Sequence, residues 1–290
     1  MQVIGKIILG TVQMGLPYGI NNTKGKISPV ECQKILTMAY KSGIRFLDTA
    51  EAYGNAHEVI GDFHQANPDM VFKVVTKFTT VNDKGIEDKI LQFLKELHIR
   101  QLEGIMFHGM HSFNNYRNTL PGLAEIKKQG LFRHLGVSIY TNDELAEILH
   151  EDEIDIIQLP FNLLDNYLIH GELMEEAKRK GKTVQTRSTF LQGLFFKSPM
   201  DAHPVVQALQ QQLIKIHQIA HEQDTAVRSL ALAYCLYQSN IDQVLIGVDS
   251  LKQLKSNLEA LSYRIEEKTV QKIDQIQTKN KDLLNPSLWS

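Results

Sequence analysis

Cysteine is scarce in this chain. Cys32 and Cys235 are its only two, far apart and each inside an apolar helical pattern, so both read as small buried hydrophobes rather than a disulfide or a nucleophile. Charge of one sign is equally scarce. The formal net charge is −2 with no long run of either sign, which argues against a nucleic-acid tract or an anionic-membrane patch. No stretch approaches the roughly 20 apolar residues of a membrane span. The opening Met1-Gln2-Val3-Ile4-Gly5-Lys6 lacks the apolar core and cleavage site of a secretory signal, so a cytoplasmic protein is expected. No strand is followed by Gly-x-Gly-x-x-Gly, which removes the main sequence argument for a Rossmann half. No serine-centred elbow is present either. His111, His170, His203, His217 and His221 read as solvated or helix-surface residues, with no spacing that makes a metal site.

What the chain does have is a repeat of short apolar run, loop and amphipathic helix. The runs are Ile7 to Leu9, Arg45 to Leu47, Phe72 to Phe78, Gly104 to Phe107, His134 to Ser138, Ile154 to Leu159, Thr183 to Thr186 and Gln243 to Gly247. Between them, helices are announced by their ends. Ser28-Pro29 is a cap with proline in the first turn, and Thr141 with Glu144 three residues on is a capping box. Ile86, Ile90, Phe93, Leu94 and Leu97 recur at helical spacing. A longer insertion, Phe190 to Pro204, follows the seventh run, then come helices over about Val205 to Glu222 and Ala226 to Gln238, and a last helix from Glu266 to Thr278 precedes the tail. Strands alternating with helices imply a parallel sheet covered by helices. Periodicity alone does not separate a closed barrel from an open doubly wound sheet, but eight units in 290 residues without a linker favour the barrel. The expectation is α/β, a (β/α)8 TIM barrel, with residues 1–290 forming a single domain.

In such a barrel the chemistry lies at the carboxyl ends of the strands. Thr11, Asp48, Lys77, His108, Ser138, Gln158, Asn162, Arg187, Ser188 and Asp249 collect there. Strands must exit toward water, which accounts for Ser138 or Asp249. It does not account for Lys77, flanked by Val74, Val75 and Phe78, since an interior ammonium needs a partner. Asp48 on the adjacent strand is the natural one. Tyr53 follows Asp48 by five residues, in a loop closed by Gly54-Asn55. A phenol has an ordinary pKa near ~10; a neighbouring ammonium is expected to lower it and ease proton donation. His108 can hydrogen-bond a carbonyl oxygen beside that phenol. Such parts polarise and protonate a C=O while something else attacks the carbon. No side chain is an evident attacker, which points to hydride from a bound cofactor.

Asp48, Tyr53, Lys77 and His108, with Leu47-Asp48-Thr49-Ala50 and Tyr53-Gly54-Asn55 around them, resemble the catalytic tetrad of the aldo/keto reductases. The resemblance spans Leu9-Gly10-Thr11 to Ser256-Asn257-Leu258. It implies the (β/α)8 barrel and NADPH-dependent reduction of a small-molecule aldehyde or ketone. By that resemblance Tyr53 is the general acid, Lys77 and Asp48 tune it, and His108 orients the carbonyl. Thr11, Asp48, Ser138, Gln158, Arg187, Ser188, Phe190, Gln192, Gly193, Gly247, Ser250, Gln253 and Asn257 are the implied cofactor contacts. Ile139 stands where the family has an asparagine on the carboxamide. Arg187 stands where a tyrosine stacks on the nicotinamide; it either stacks through its planar guanidinium or faces a substrate anion or solvent. Asp249 stands where many members place a base for the 2′-phosphate, and it suits the ribose hydroxyl of NAD(H). Lys252 and Lys255 are the nearby compensating cations, which leaves NADP(H) narrowly ahead of NAD(H).

The Leu16-Pro17-Tyr18-Gly19 loop, the His108-Gly109-Met110-His111 turn and Phe195-Phe196 are expected to wall the substrate pocket. The Gly10 to Gly19 stretch and the Arg187 to Leu194 run are similar to a bacterial branch found among polysaccharide-biosynthesis enzymes, which implies a sugar-like carbonyl. Two other classes fit parts of the pattern. A Schiff-base barrel lyase would use Lys77 as its amine, and a regulatory subunit would keep the fold and the cofactor without turnover.

Overall fold

The structure is a computed structural model that describes residues 3–81 and 85–289; Met1 and Gln2 of the opening stretch lie outside them. Eight parallel strands close into one barrel in sequence order. They are β1 (Ile7–Gly10), β2 (Phe46–Asp48), β3 (Lys73–Phe78), β4 (Leu102–Phe107), β5 (Phe132–Ser138), β6 (Ile156–Pro160), β7 (Thr183–Arg187) and β8 (Gln243–Gly247). All eight expected runs are strands, and β1 pairs with β8 to complete the ring through Gly10 and Gly247.

Side chains alternate along each strand. In β3, Val74 and Phe78 join the large core shared with the surrounding helices, whereas Val75 meets Met106 and Ile156 in a small separate cluster. That second cluster forms a small apolar layer of its own. Burial of the outward Ile, Leu, Val and Phe set against the helices supplies most of the driving force, at roughly 25 cal/mol per Å² of apolar surface. The helix ends form as their capping residues predict: Ser28 Oγ accepts from the Glu31 amide and Thr141 Oγ1 from the Glu144 amide.

Three segments differ from expectation. Met110–Tyr116 is a helix, entered through a reciprocal Gly109–Ser112 turn. The helix expected from Val205 to Glu222 is broken into Pro204–Ala208 and Gln210–Glu222. The last helix spans Glu267–Asp274, and the chain then crosses back over the barrel in short 3-10 turns to Leu288. No helix among the described residues is long and apolar enough to cross a membrane.

Candidate active site

Above the apolar layer the barrel interior turns polar. Lys77 Nζ, 1 % exposed, donates to Asp48 Oδ1 at 2.5 Å and to the Thr49 carbonyl at 3.2 Å. Gln158 Nε2 donates to Asp48 Oδ2 at 2.8 Å and to Gln185 Oε1 at 3.2 Å, and Gln185 Nε2 continues to Gln243 Oε1 at 2.8 Å. The register explains the meeting, because successive parallel strands lift Asp48, Lys77 and Gln158 to the same rim of the ring. Thr11 ties the end of β2 through both its amide and its hydroxyl, which donate to the Asp48 carbonyl at 3.0 and 2.9 Å.

Tyr53 stands over this floor. Its ring packs edge-on against His108 at 5.7 Å between centroids, and Lys77 Nζ lies 5.6 Å from the phenol ring centre. The turn that carries it is clasped from below. A Cβ at Gly15 would fall 1.7 Å from the Tyr53 carbonyl oxygen, and one at Gly54, whose φ is +56°, 2.5 Å from the Gly15 carbonyl oxygen. Backbone touches backbone there, so neither position accepts a side chain without moving the loop. Glu51 anchors the adjoining loop, accepting from the Thr79 amide and hydroxyl and pairing with Lys89.

The electrostatics correct one expectation. Lys77 does not pull the Tyr53 phenol down. Burial and then the Asp48 charge hold that phenol well above its ordinary value, and Arg187 is the group that opposes them. Burial is the larger cause, because a phenolate cut off from water is disfavoured whatever its neighbours. Burial also lowers Lys77 itself. His108 is pushed down to about 4, by burial first and then by Lys77, so its ring is neutral near pH 7.

His57 and His64 are likewise lowered by burial. His57 bridges Glu96 and Thr76, and His64 bridges the Leu97 carbonyl and the Phe72 amide. Each stays neutral in the folded chain at pH values where the unfolded chain takes up a proton. Their contribution to stability is therefore present above about 6.5 and is lost as pH falls through the folded values, toward about 4 for His108. We expect Tm to drop between pH 7 and 4.5 in thermal melts, and His108→Gln to shrink that drop. A flat Tm over this range would contradict the assignment.

A cleft of about 390 Å³ opens above the tetrad. Of the residues expected to face a cofactor, Thr11, Asp48, Ser138, Gln158, Arg187, Ser188, Phe190, Gln192, Gly193, Gly247 and Gln253 line it, together with Tyr53, Lys77, His108 and Asp249. Ser250 and Asn257 do not. The Ser250 hydroxyl caps its helix by accepting from the Gln253 amide, and the Asn257 carbonyl oxygen is taken by Arg228. Lys252 and Lys255 are exposed and absent from the lining. Arg228, stacked 4.4 Å over Phe196, does line the cleft with Asp249. Of the expected walls, Tyr18, Gly19 and Phe196 face the cleft and Phe195 is fully buried. Tyr140, Asn21, Pro286 and Ser287 are among the further lining residues. His170 is 4 % exposed and bridges Asp165 and Asn142, so it is a core histidine and not the helix-surface one expected. Cys32 and Cys235 are fully buried, their thiols raised by burial to about 11 and about 12.

The loop leaving β7 is bent through unusual backbone: Ser188, Leu191 and Gln192 all have positive φ. Such conformations cost about 1–3 kcal/mol each and collect at functional sites. Gln192 Nε2 donates to the Tyr18 hydroxyl at 3.0 Å, and Asn21 Nδ2 donates to the Gly193 carbonyl at 2.6 Å. These two contacts join the β1 and β7 loops across one end of the cleft.

A parallel eight-stranded barrel with Asp, Tyr, Lys and His gathered at one rim defines a class of carbonyl oxidoreductase. The chain belongs to the aldo/keto reductase family, whose model matches residues 6–278. It is 25 % identical to the NADH-specific methylglyoxal reductase of Escherichia coli (strain K12), over 90 % of this chain and 91 % of that one. Its fold superposes on aldo-keto reductase AKR11C1 from Bacillus halodurans (holo form) with a TM-score of 0.76 at 18 % identity, covering 95 % and 93 % of the two chains. An aldo/keto reductase from Klebsiella pneumoniae, in complex with NADP and acetate, gives 0.72 at 17 % identity over the same shares.

Proposed function

We propose that the chain reduces an aldehyde or ketone, sugar-like in its hydroxyls, with Tyr53 as the proton donor. The observation that carries this reading is the Tyr53–His108–Lys77–Asp48 cluster at the floor of an open cleft. Cofactor residues fit the same cleft. Both donors of the Gln158 amide are committed inside the barrel, so its carbonyl oxygen is left to accept from a carboxamide N–H. The buried Gln13 Oε1 has no partner among the described residues. Ser138 presents a hydroxyl and Arg187 a planar face near the same floor. Ser138, Gln158 and Arg187 would hold a nicotinamide there, which would supply the hydride. Neutral His108 hydrogen-bonds the carbonyl oxygen and keeps it beside Tyr53. As negative charge grows on that oxygen, the Tyr53 proton passes to it and Arg187 shields the phenolate left behind. The high pKa of Tyr53 keeps it protonated throughout the neutral range, which suits the reductive direction. Tyr18, Tyr140, Asn21 and Ser287 offer hydrogen-bonding groups for substrate hydroxyls.

For the cofactor, Asp249 repels a 2′-phosphate while Arg228 attracts it, and the two face one another electrostatically. Named relatives go both ways, one NADH-specific and one holding NADP. The reading favours NADPH narrowly. Quenching of NADPH and NADH fluorescence, followed by oxidation driven by a panel of aldehydes and hydroxy-ketones, tests the whole proposal. Arg228→Gln should lower the NADPH:NADH ratio of kcat/KM by about tenfold, the scale of one charge-assisted hydrogen bond, and Asp249→Asn should raise it. A wild-type preference for NADPH of roughly a hundredfold would rule out the repulsion assigned to Asp249.

A further inference from the structure

Among the described residues Arg187 has no acidic partner within salt-bridge distance. The guanidinium–carboxylate pairs among the described residues are those of Arg117 and Arg133. Arg187 instead lies 4.1 Å over the Tyr140 ring, donates one hydrogen bond to the Ile139 carbonyl at 3.0 Å and reaches Ser188 Oγ at 3.4 Å. Those contacts use a minority of its five N–H groups. A half-buried, permanently charged group with donors unused is costly unless an anion meets it. Each of the other two permanent cations lining the cleft has a carboxylate to answer it, in contact for Lys77 and at longer range for Arg228. Lys77 and Asp48 are paired at 2.5 Å, and Arg228 faces Asp249. Among the described residues, the floor therefore carries one positive charge with no carboxylate to answer it, that of Arg187. Tyr18 and Tyr140 line the cleft with it, and its charge is felt at Tyr18, Tyr53, Lys77 and His108 alike.

We propose that the carbonyl substrate carries an oxyanion, a carboxylate or a phosphate, that is held by the Arg187 guanidinium beside the Tyr18 and Tyr140 phenols. This rests on the carbonyl-reductase reading and narrows its substrate class. Paired probes test it: 4-carboxybenzaldehyde against 4-methylbenzaldehyde, and glycolaldehyde phosphate against glycolaldehyde. The wild type should favour one charged member by about tenfold or more in kcat/KM, as expected of a charge-assisted hydrogen bond; which pair responds tells carboxylate from phosphate. Whatever Arg187→Gln does to turnover common to both members, it should bring that ratio near one. Arg187→Lys should keep part of the preference, since the charge remains without the fork.

A second readout does not depend on turnover. Calorimetry of the NADP⁺-loaded protein should show malonate or inorganic phosphate binding, weakened about tenfold or more by Arg187→Gln. Equal use of charged and neutral members by the wild type, or a ratio untouched by Arg187→Gln, overturns the proposal. If no carbonyl is reduced, the reductase reading fails. The anion subsite is then decided by calorimetry alone: binding that depends on Arg187 supports it, and no binding overturns it.

Discussion

Replacing Tyr53 by phenylalanine lowers carbonyl reduction by about 100- to 10,000-fold, the range contributed by a positioned general acid, and leaves cofactor binding close to wild type. The substitution removes one hydroxyl and keeps the ring, which is what packs against His108. The clasp under the loop is made by the backbone of Gly15 and Tyr53, so it survives the change. Loss of activity is then loss of a proton and not of a fold. Stopped-flow reduction and NADPH fluorescence titration on the same preparation separate the two. Turnover near wild type in Tyr53→Phe would remove the phenol from the mechanism and leave His108 as the candidate donor.

The second large effect belongs to the buried pair. Lys77→Met leaves Asp48 with the Gln158 amide but without its cation, in surroundings almost closed to water. Removing one partner of such a pair costs on the order of 3–5 kcal/mol, because the remaining charge stays buried and uncompensated. The urea midpoint should fall accordingly. The double variant Lys77→Met/Asp48→Leu should recover much of that loss, since an apolar pair of similar volume is often tolerated. It should recover no activity, because the floor beneath Tyr53 would have lost both charges. A single Lys77→Met variant as resistant to urea as the wild type would mean that the ammonium contributes nothing to stability.

Much of this was legible in the residues. Eight apolar runs, each closed by a polar residue, predicted both the ring and the rim that matters, since β-branched runs and helix caps are local signals. Lys77 revealed itself by contrast, a charge set among Val74, Val75 and Phe78. The same contrast marks Arg228, a lone cation at the start of the apolar helix Val227–Tyr237. Tyr140 was within reach too, two residues past Ser138 at the end of β5. Other features had no local signal. The Met110–Tyr116 helix has little apolar periodicity, and Pro286 and Ser287 reach the cleft only because the tail returns over the barrel. Ser250 and Asn257, implied by resemblance, lie outside the cleft lining, where the Ser250 hydroxyl caps its helix and the Asn257 carbonyl oxygen is taken by Arg228. The direction of the Tyr53 shift also lay beyond the sequence. A lysine near a phenol predicts one sign; burial of the phenol, with the Asp48 charge beside it, gives the other.

The contact between Gly15 and Gly54 divides the rim into a fixed part and a replaceable part. Tyr18, Tyr140, Phe196 and Ser287 stand on loops that can diversify one at a time, and each change retunes which molecules are admitted. Positions 15 and 54 have no such freedom, because any substituent there lifts the acid itself and is paid for on every molecule at once. Descendants of this chain selected for new specificities would therefore keep two bare backbone positions while rewriting nearly everything that surrounds them.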